Sequence, residues 1–147
     1  YAIKPVDWFY ETIKNEGCFF SRSGFTLAQT STDSDLIWAK LTRDDAEGLR
    51  EIWSCVFGFD LMTEKGQLFW NLIKDGTKAG VCNTSRFHSN QSQDKRFLFG
   101  RQDQTLVSHC LHKVGYEIKY NSGEYIAYAK ADFCKPTETT IFLIDGM

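Results

Sequence analysis

Two apolar segments of the chain each contain an acidic residue that is followed at once by glycine. The first, Trp8–Cys18, has the sequence WFYETIKNEGC, in which Glu16 precedes the glycine. The second, Gln67–Gly80, has the sequence QLFWNLIKDGTKAG, in which Asp75 precedes the glycine. Because glycine readily ends a helix, we expect two helices that each carry a carboxylate in the last turn. These two carboxylates are the strongest constraint that the sequence places on the fold.

The rest of the first half predicts further strands and one more helix. Cys18–Phe20 and Gly24–Gln29 are expected to form a strand pair around a Ser-Arg-Ser-Gly turn. Leu36–Leu41 alternates apolar and polar residues, which predicts another strand. A helix is expected to begin after a capping box whose first residue is Thr42 and to end at Gly58.

The second half predicts one helix and five strands. The helix is expected to begin at Asp103 and to end at Val114, where glycine follows. Tyr116–Tyr120 and Glu124–Lys130 form the clearest hairpin pattern in the chain, with Asn-Ser-Gly between them. The predicted strands of this half are, in chain order, Thr77–Ser85, Arg96–Gly100, Tyr116–Tyr120, Glu124–Lys130 and Thr139–Ile144.

The two halves resemble each other in the order of these elements. Each has an apolar helix with an acid-glycine pair, then strands, and then a second helix followed by glycine and an aromatic residue. This self-similarity predicts an α+β fold of two pseudo-repeated helix-strand-strand-helix units with mixed or antiparallel sheets. The units would span about residues 5–60 and 65–135, and the chain length suits a single domain.

Composition and cysteine usage narrow the class of protein. Hydrophobic residues make up 42% of the chain and aromatic residues 15%, which favours a folded domain over a disordered one. No apolar run approaches the ~20 residues that span a bilayer, so we expect no membrane partner. The five cysteines are odd in number, widely spaced and without a CxxC pair, which favours thiols in a reducing compartment, the cytoplasm or nucleus.

Basic charge is concentrated in the middle of the chain. Residues 77–120 contain seven Lys and Arg against three Asp and Glu, although the whole chain has a formal charge of −2. Amide and aromatic side chains accompany this charge, a composition that suits contact with phosphates and bases. On charge alone an ordinary solvated surface is the favoured explanation, since the pI of 5.9 is low for a nucleic-acid-binding domain.

The two carboxylates would form one site if their helices packed side by side. Glu16 and Asp75 would then repel each other, and a divalent cation would relieve that repulsion. Oxygen ligands with open coordination positions suit Mg²⁺. A metal so placed activates water and stabilises the leaving oxygen in phosphodiester hydrolysis. The strands that follow would form a saddle able to lie in the DNA major groove.

This order of elements resembles the LAGLIDADG, or dodecapeptide, homing endonucleases, including those inserted in inteins. NEGCFFSRSGFTLAQ and KRFLFGRQDQTLVSHCLHKVGY are the stretches that look most similar, and TTIFLIDGM resembles the strand before the C-terminal splice junction of an intein. The resemblance implies Mg²⁺-dependent cleavage of double-stranded DNA. It also implies that Glu16 and Asp75 are the metal ligands.

The same resemblance implies further site residues. The family uses a basic or amide residue near the scissile phosphate, for which the candidates here are Gln29, Lys40 and Arg101. The expected contacts to DNA are Arg86, Lys95, Arg96, Arg101, Asn83 and Gln91. A host protein is a further partner if the chain is part of a longer one, and otherwise a monomer is expected.

Other interpretations remain open at this point. An acid-glycine pair is often only the end of a helix. Asp103 followed by Glu117 and Lys119 matches the acid and E-x-K pattern of other nucleases, and His109 with His112 lies at helical spacing. The alternative of a different class is a non-catalytic α+β protein-interaction module, such as a regulatory, immunity or viral adaptor protein. DNA binding that weakens steeply with salt would favour the nuclease.

Overall fold

The computed structural model describes residues 2, 5–81, 92–121, 126–128 and 142–144. The fold is α+β, with mixed and antiparallel sheets, as predicted. The helices are α1 Asp7–Glu16, α2 Leu27–Thr30, α3 Asp33–Ala39, α4 Arg43–Glu47, α5 Glu64–Lys78 and α6 Gln102–Val114. The strands are β1 Cys18–Phe19, β2 Ser21–Thr26, β3 Arg50–Ile52, β4 Gly58–Phe59, β5 Tyr120–Asn121, β6 Ile126–Tyr128 and β7 Phe142–Ile144.

These strands form three small sheets. β1 pairs with β4 in antiparallel orientation, and β6 pairs with β7 in parallel orientation. The third sheet has the order β3-β2-β5, in which β2 is antiparallel to β3 and parallel to β5. The predicted pairing of 18–20 with 24–29 is therefore wrong, because β1 and β2 pair with different strands. The described residues of the predicted hairpin between 116–120 and 124–130 do not pair with each other, since β5 pairs with β2 and β6 pairs with β7.

Helix α1 ends where the sequence predicts. Gly17 adopts the left-handed conformation, with φ of 78°, and its N–H donates to the Ile13 carbonyl. A side chain disfavours this conformation, so glycine is the suitable residue at the helix end. Phe9 packs edge-on against Phe19 of β1, with ring centres 5.1 Å apart. Helix α1 therefore packs on the first strand that follows it.

Helix α5 differs from the prediction at both ends. Thr63 caps its N-terminus by accepting a hydrogen bond from the Gly66 N–H over 3.0 Å, and the helix continues to Lys78. Gly76 therefore lies inside the helix, where it is buried. A Cβ at this position would overlap Leu106 of α6 and lie 3.0 Å from Trp38. The glycine permits a close approach between α5 and α6, and it does not end the helix.

The stretch that was predicted as a strand over 36–41 is helix α3. Thr32 and Asp35 form a reciprocal capping box, with hydrogen bonds of 2.9 and 3.1 Å between each backbone N–H and the other side chain. These bonds satisfy N–H groups at the helix start, which stabilises the helix. Leu36 and Ala39, three residues apart, are both buried. Local capping and this apolar face outweigh the alternating pattern.

The capping box at Thr42 is confirmed, but the helix behind it is short. The Asp45 carboxylate accepts from the Thr42 N–H over 2.9 Å, and the Asp45 N–H donates to the Thr42 hydroxyl over 3.1 Å. Helix α4 ends at Glu47, so the prediction of a helix up to Gly58 is wrong. The next residues enter the sheet as β3, where the Ile52 N–H donates to the Ser108 hydroxyl of α6. Tertiary pairing therefore overrides the helical spacing of the apolar residues.

Helix α6 is the central element of the larger core. Its predicted inner face is confirmed, since Leu106, Val107, Cys110 and Leu111 are all buried. Gly115 ends the helix in the left-handed conformation, with φ of 74°. The core around this face also contains Cys18, Phe20, Ile52, Phe69, Val81 and Tyr116. Cys18, Cys55 and Cys110 are thiols.

The described part of the segment between α5 and α6, residues 79–81 and 92–101, contains no strand. The strand predicted over 96–100 is absent, because the N–H groups of Leu98 and Phe99 donate to the Gln29 carbonyl of α2 instead of a neighbouring strand. None of the helices in the described ranges is both long and apolar enough to cross a bilayer.

Candidate functional site

Glu16 is engaged by residues near the start of β5. Its Oε2 accepts a hydrogen bond from Lys119 Nζ over 2.8 Å, and its Oε1 accepts one from the Tyr120 hydroxyl over 3.1 Å. The hydrogen bond from Lys119 is the main reason that the pKa of Glu16 is lowered. Each carboxylate oxygen of Glu16 thus accepts one hydrogen bond from a protein group.

Asp75 has a different set of neighbours. It lies on α5, which packs along α6, and its charge reaches Cys110 in the core. Burial raises the pKa of the Cys110 thiol to about 12, and Asp75 contributes to that rise. Within the described ranges, no group of three or more His, Cys, Asp or Glu residues is placed to hold a metal. The predicted Mg²⁺ site at Glu16 and Asp75 stays a prediction.

Two of the three candidates for the residue near the scissile phosphate, Gln29 and Lys40, lie at or next to the ends of short helices. Gln29 caps helix α2, where its Oε1 accepts a hydrogen bond from the Thr26 N–H over 2.9 Å. Lys40 follows α3 in the left-handed conformation, with φ of 58°, and its side chain is exposed.

Arg96 was predicted to contact DNA, but carboxylates surround its guanidinium. Nη1 donates to Asp44 over 2.7 Å and to Glu47 over 2.9 Å, while Nη2 donates to Asp94 over 2.8 Å. A phosphate would have to displace these partners before it could bind Arg96. Lys95 is exposed. The other predicted DNA contacts, Asn83, Arg86 and Gln91, lie outside the described residues.

The acid and E-x-K pattern and the pair of histidines also lie in described parts of the fold. Glu117 is exposed and Lys119 pairs with Glu16, so the E-x-K pattern lies in the segment before β5 and not on a strand. Asp103 is exposed in the first turn of α6. His109 and His112 lie on one face of α6, as their spacing predicts, and His109 is buried.

A buried carboxylate that the sequence analysis did not single out lies at the centre of the β2–β3–α6 contact. The Glu51 side chain on β3 is fully buried. Its Oε2 accepts a hydrogen bond from Ser23 Oγ over 2.8 Å and one from Gln104 Nε2 over 2.9 Å. Its Oε1 is buried without a well-directed hydrogen bond from the described residues, because the nearby Thr30 hydroxyl donates to the Thr26 carbonyl. Burial raises the pKa of Glu51, and Arg101 opposes that rise.

The local sequence explains how these groups meet. Alternation along β2 turns Ser21 and Ser23 inward and Arg22 outward. Glu51 occupies the inward side of β3, which pairs with β2. Helix α6 begins directly after Arg101, so that its first turn brings Gln104 to Glu51. Glu51 directly follows Arg50 and lies within the predicted helix, so the local sequence does not signal a buried carboxylate on a strand.

Arg101 lies beside the buried Glu51, between two aromatic rings. Its Cζ is 4.9 Å from the ring centre of Phe25 and 5.0 Å from that of Phe99, and the two rings meet edge to face. Its Nη1 is 3.8 Å from Glu51 Oε2, which is longer than a hydrogen bond. The guanidinium donates no hydrogen bond to any of the described residues. The side chain is 30% exposed, so it is open to solvent.

This arrangement suits the binding of an anion. A guanidinium carries five N–H donors in a planar fork that matches a carboxylate or phosphate. The two aromatic rings hold the fork in place by cation–π contacts. Arg101 also precedes the first turn of the 13-residue helix α6, where the helix dipole favours negative charge. The guanidinium is therefore fixed in orientation, and among the described residues its one charged partner is Glu51, at a distance too long for a hydrogen bond.

No family model, curated protein or solved structure matches this chain.

Proposed function

We propose that the protein is an interaction module that binds a carboxylate or phosphate group of a partner protein at Arg101. The observation that carries this proposal is the position of the guanidinium, which Phe25 and Phe99 orient while it donates no hydrogen bond within the part of the chain that the structure describes. Holding a long side chain in one place before binding reduces the entropy that binding costs. An incoming anion would gain charge-assisted hydrogen bonds, which are the stronger kind.

The surroundings of Arg101 favour a protein partner over DNA. Two aromatic rings border the guanidinium, and Leu98, which precedes Phe99 in the sequence, is 51% exposed. Arginine and aromatic residues are enriched where protein interfaces bind most tightly. Duplex DNA, in contrast, is bound through many phosphates at once. Arg96 is tied to three carboxylates, and the chain has a formal charge of −2.

A peptide display library tests the proposal directly. Random and phosphorylated peptides would be selected on the immobilised wild-type protein and on the Arg101→Gln variant. We expect an acidic or phosphorylated consensus that is enriched on the wild type and lost on the variant. Enrichment of Asp and Glu would identify a carboxylate ligand, whereas enrichment of phosphoserine or phosphotyrosine would identify a phosphate ligand. A consensus without acidic residues, or one that persists on Arg101→Gln, would overturn the proposal.

Calorimetry on a selected peptide gives the magnitude. Loss of a charge-assisted contact of about 1.5–3 kcal/mol corresponds to a Kd that rises roughly 10- to 150-fold in Arg101→Gln. Arg101→Lys should bind with intermediate affinity, because the ammonium group keeps the charge and loses the fork. The matched control is Arg96→Gln, which removes a nearby arginine whose donors are already occupied and should leave the Kd unchanged.

A DNA-binding assay separates the proposal from the nuclease hypothesis. Wild-type protein would be titrated into a short duplex at several salt concentrations. We expect no duplex binding that depends on Arg101. Tight binding that falls steeply with salt and is lost in Arg101→Gln would assign the site to nucleic acid.

A further inference from the structure

Glu51 is a buried acidic residue directly behind the arginine at which a partner anion is proposed to bind. Its side chain has no exposed surface, whereas that of Arg101 is 30% exposed. An anion that binds Arg101 from solvent would therefore not touch Glu51. Oε2 of Glu51 is nevertheless 3.8 Å from Nη1 of Arg101. At this distance the charge of Glu51 acts on any anion that the guanidinium binds.

The groups around Oε2 of Glu51 favour the ionised form of this carboxylate. Ser23 Oγ on β2 donates a hydrogen bond over 2.8 Å, and Gln104 Nε2 on α6 donates another over 2.9 Å. Arg101 adds a positive charge, and the neutral Thr30 hydroxyl of α2 is also nearby. Burial acts in the opposite direction and raises the pKa of Glu51. The negative form of Glu51 therefore has two hydrogen-bond donors and a cation as its partners, all of which stabilise its charge.

An anion bound at Arg101 would lie close enough to Glu51 to be repelled by it. A ligand oxygen that accepts a hydrogen bond of ~2.9 Å from Nη1 would be within about 7 Å of Glu51 Oε2. The repulsion is proportional to the charge of the ligand. At a separation of ~7 Å and an effective dielectric constant of ~50, it weakens binding about fivefold for each ligand charge. A doubly charged anion is therefore disfavoured more than a singly charged one.

We propose that Glu51 makes the Arg101 site selective for a singly charged anion, an inference that rests on the function proposed for Arg101. The partner group is then the carboxylate of an Asp or Glu side chain, which carries one negative charge at neutral pH. A phosphorylated side chain carries nearly two. Arg101 and Glu51 together have no net charge, so the second charge of a phosphate gains little attraction, while the cost of removing water from an ion rises with its charge.

Two small anions of similar shape measure this selectivity. Methyl phosphate is mainly a dianion at about pH 7.5, because the second pKa of a phosphate ester is about 6, and dimethyl phosphate is a monoanion. Each would be titrated into the wild-type protein at constant ionic strength. ¹H–¹⁵N spectra would follow the side-chain Nε–H of Arg101 and the backbone amides beside it. We expect dimethyl phosphate to bind at least as tightly as methyl phosphate, and acetate to bind as a monoanion does.

Removal of the charge of Glu51 should change the selectivity in a defined way. Glu51→Gln keeps the shape of the side chain and an oxygen that can accept from Ser23 and Gln104. We expect this variant to bind dimethyl phosphate about fivefold more tightly and methyl phosphate about 25-fold more tightly, because the repulsion acts on each ligand charge. A purely structural role of Glu51 would change both affinities by the same factor. Glu51→Asp keeps the charge and should keep the preference of the wild type.

The variant Arg101→Gln separates failure of this inference from failure of the proposed function. Binding of the probes that persists in Arg101→Gln would overturn the proposed function, and the inference with it. Binding that Arg101→Gln abolishes, but that Glu51→Gln strengthens equally for both phosphates, would overturn the inference alone. If Glu51→Gln does not fold, the order of affinities in the wild type decides, since tighter binding of methyl phosphate than of dimethyl phosphate would contradict the selectivity.

Discussion

The two acid-glycine pairs look alike in the sequence and have opposite roles in the fold. Gly17 ends α1 in the left-handed conformation, with empty space where a Cβ would lie. Gly76 is helical and buried, and a Cβ there would overlap Leu106. One glycine is required by its backbone conformation, and the other by the close packing of a second helix. The comparison shows that the same dipeptide can satisfy two unrelated physical requirements.

The acidic residues of the two pairs also have different neighbours. Glu16 forms contacts with a segment more than a hundred residues away, since Lys119 and Tyr120 hold both of its oxygens. Asp75 lies on the α5–α6 pair and influences a core thiol, Cys110. Similar local sequences therefore lie in different environments, and substitutions of these glycines and acids can test that difference.

The largest expected effect is that of Gly76→Val. The new side chain would collide with Leu106 and Trp38 in a packed core, and overpacking of this kind destabilises by about 1–3 kcal/mol. We expect a value near the upper end, about 3 kcal/mol, because valine is also a weaker helix former than most residues. Urea denaturation measures the change. Gly48→Ala is the control, since the nearest atom to a Cβ there is 3.9 Å away, and a loss as large as in Gly76→Val would contradict this explanation.

Gly17→Ala should have a smaller effect than Gly76→Val. Here the cost arises from the positive φ of 78° and not from a clash. A residue with a Cβ in this conformation costs about 1–2 kcal/mol. Gly17→Asn should cost less, because asparagine tolerates the left-handed region. Equal losses for alanine and asparagine in urea denaturation would show that the backbone conformation is not the cause.

A smaller, pH-dependent effect is expected for Lys119→Met. The pKa of Glu16 is below its ordinary value of 4.5, mainly because of the hydrogen bond from Lys119. A lowered pKa in the folded state stabilises the protein above pH 4.5, and this contribution is lost as the pH falls through the folded pKa. The variant should therefore be less stable than wild type at pH 7 and equally stable near pH 2. High salt should reduce the difference at pH 7, since the pair is exposed.

The smallest expected effect is that of neutralising each acid in a nuclease assay. Glu16→Gln and Asp75→Asn would be compared with wild type on duplex DNA in the presence of Mg²⁺. Because the two carboxylates have different neighbours, we expect the DNA to be unchanged in all three samples. Cleavage by wild type that both variants lose to the same extent would restore the shared metal site.

The elements that were predicted well depend on interactions between near neighbours. Helix α1 was predicted with its exact end, and the capping box at Thr42 and the inner face of α6 were also predicted correctly. Where the prediction failed, a distant contact decided the outcome. β3 was expected to be helical, but it pairs with β2 and receives support from Ser108, 56 residues from Ile52.

The candidate site shows the same division. The sequence predicts Arg101 as a phosphate-binding residue from its position after a predicted strand and before a helix. Its aromatic neighbours and the buried Glu51 could not be foreseen, because Phe25, Glu51 and Phe99 come from three separate segments. Arg96 was named with equal reason, and only the fold shows that Asp44, Glu47 and Asp94 surround it. The number of charges in a segment is therefore a poor guide to which charges are available for binding.

By itself, the sequence determined the α+β class, the main apolar helix faces and several helix ends. These features depend on periodicity, capping and glycine conformation, which act over a few residues. Tertiary structure decided that carboxylates surround Arg96, that two aromatic rings hold Arg101, and that Glu51 is buried. These outcomes depend on burial and on pairing between distant segments, where the free energy of a charged or polar group is set by its neighbours in space.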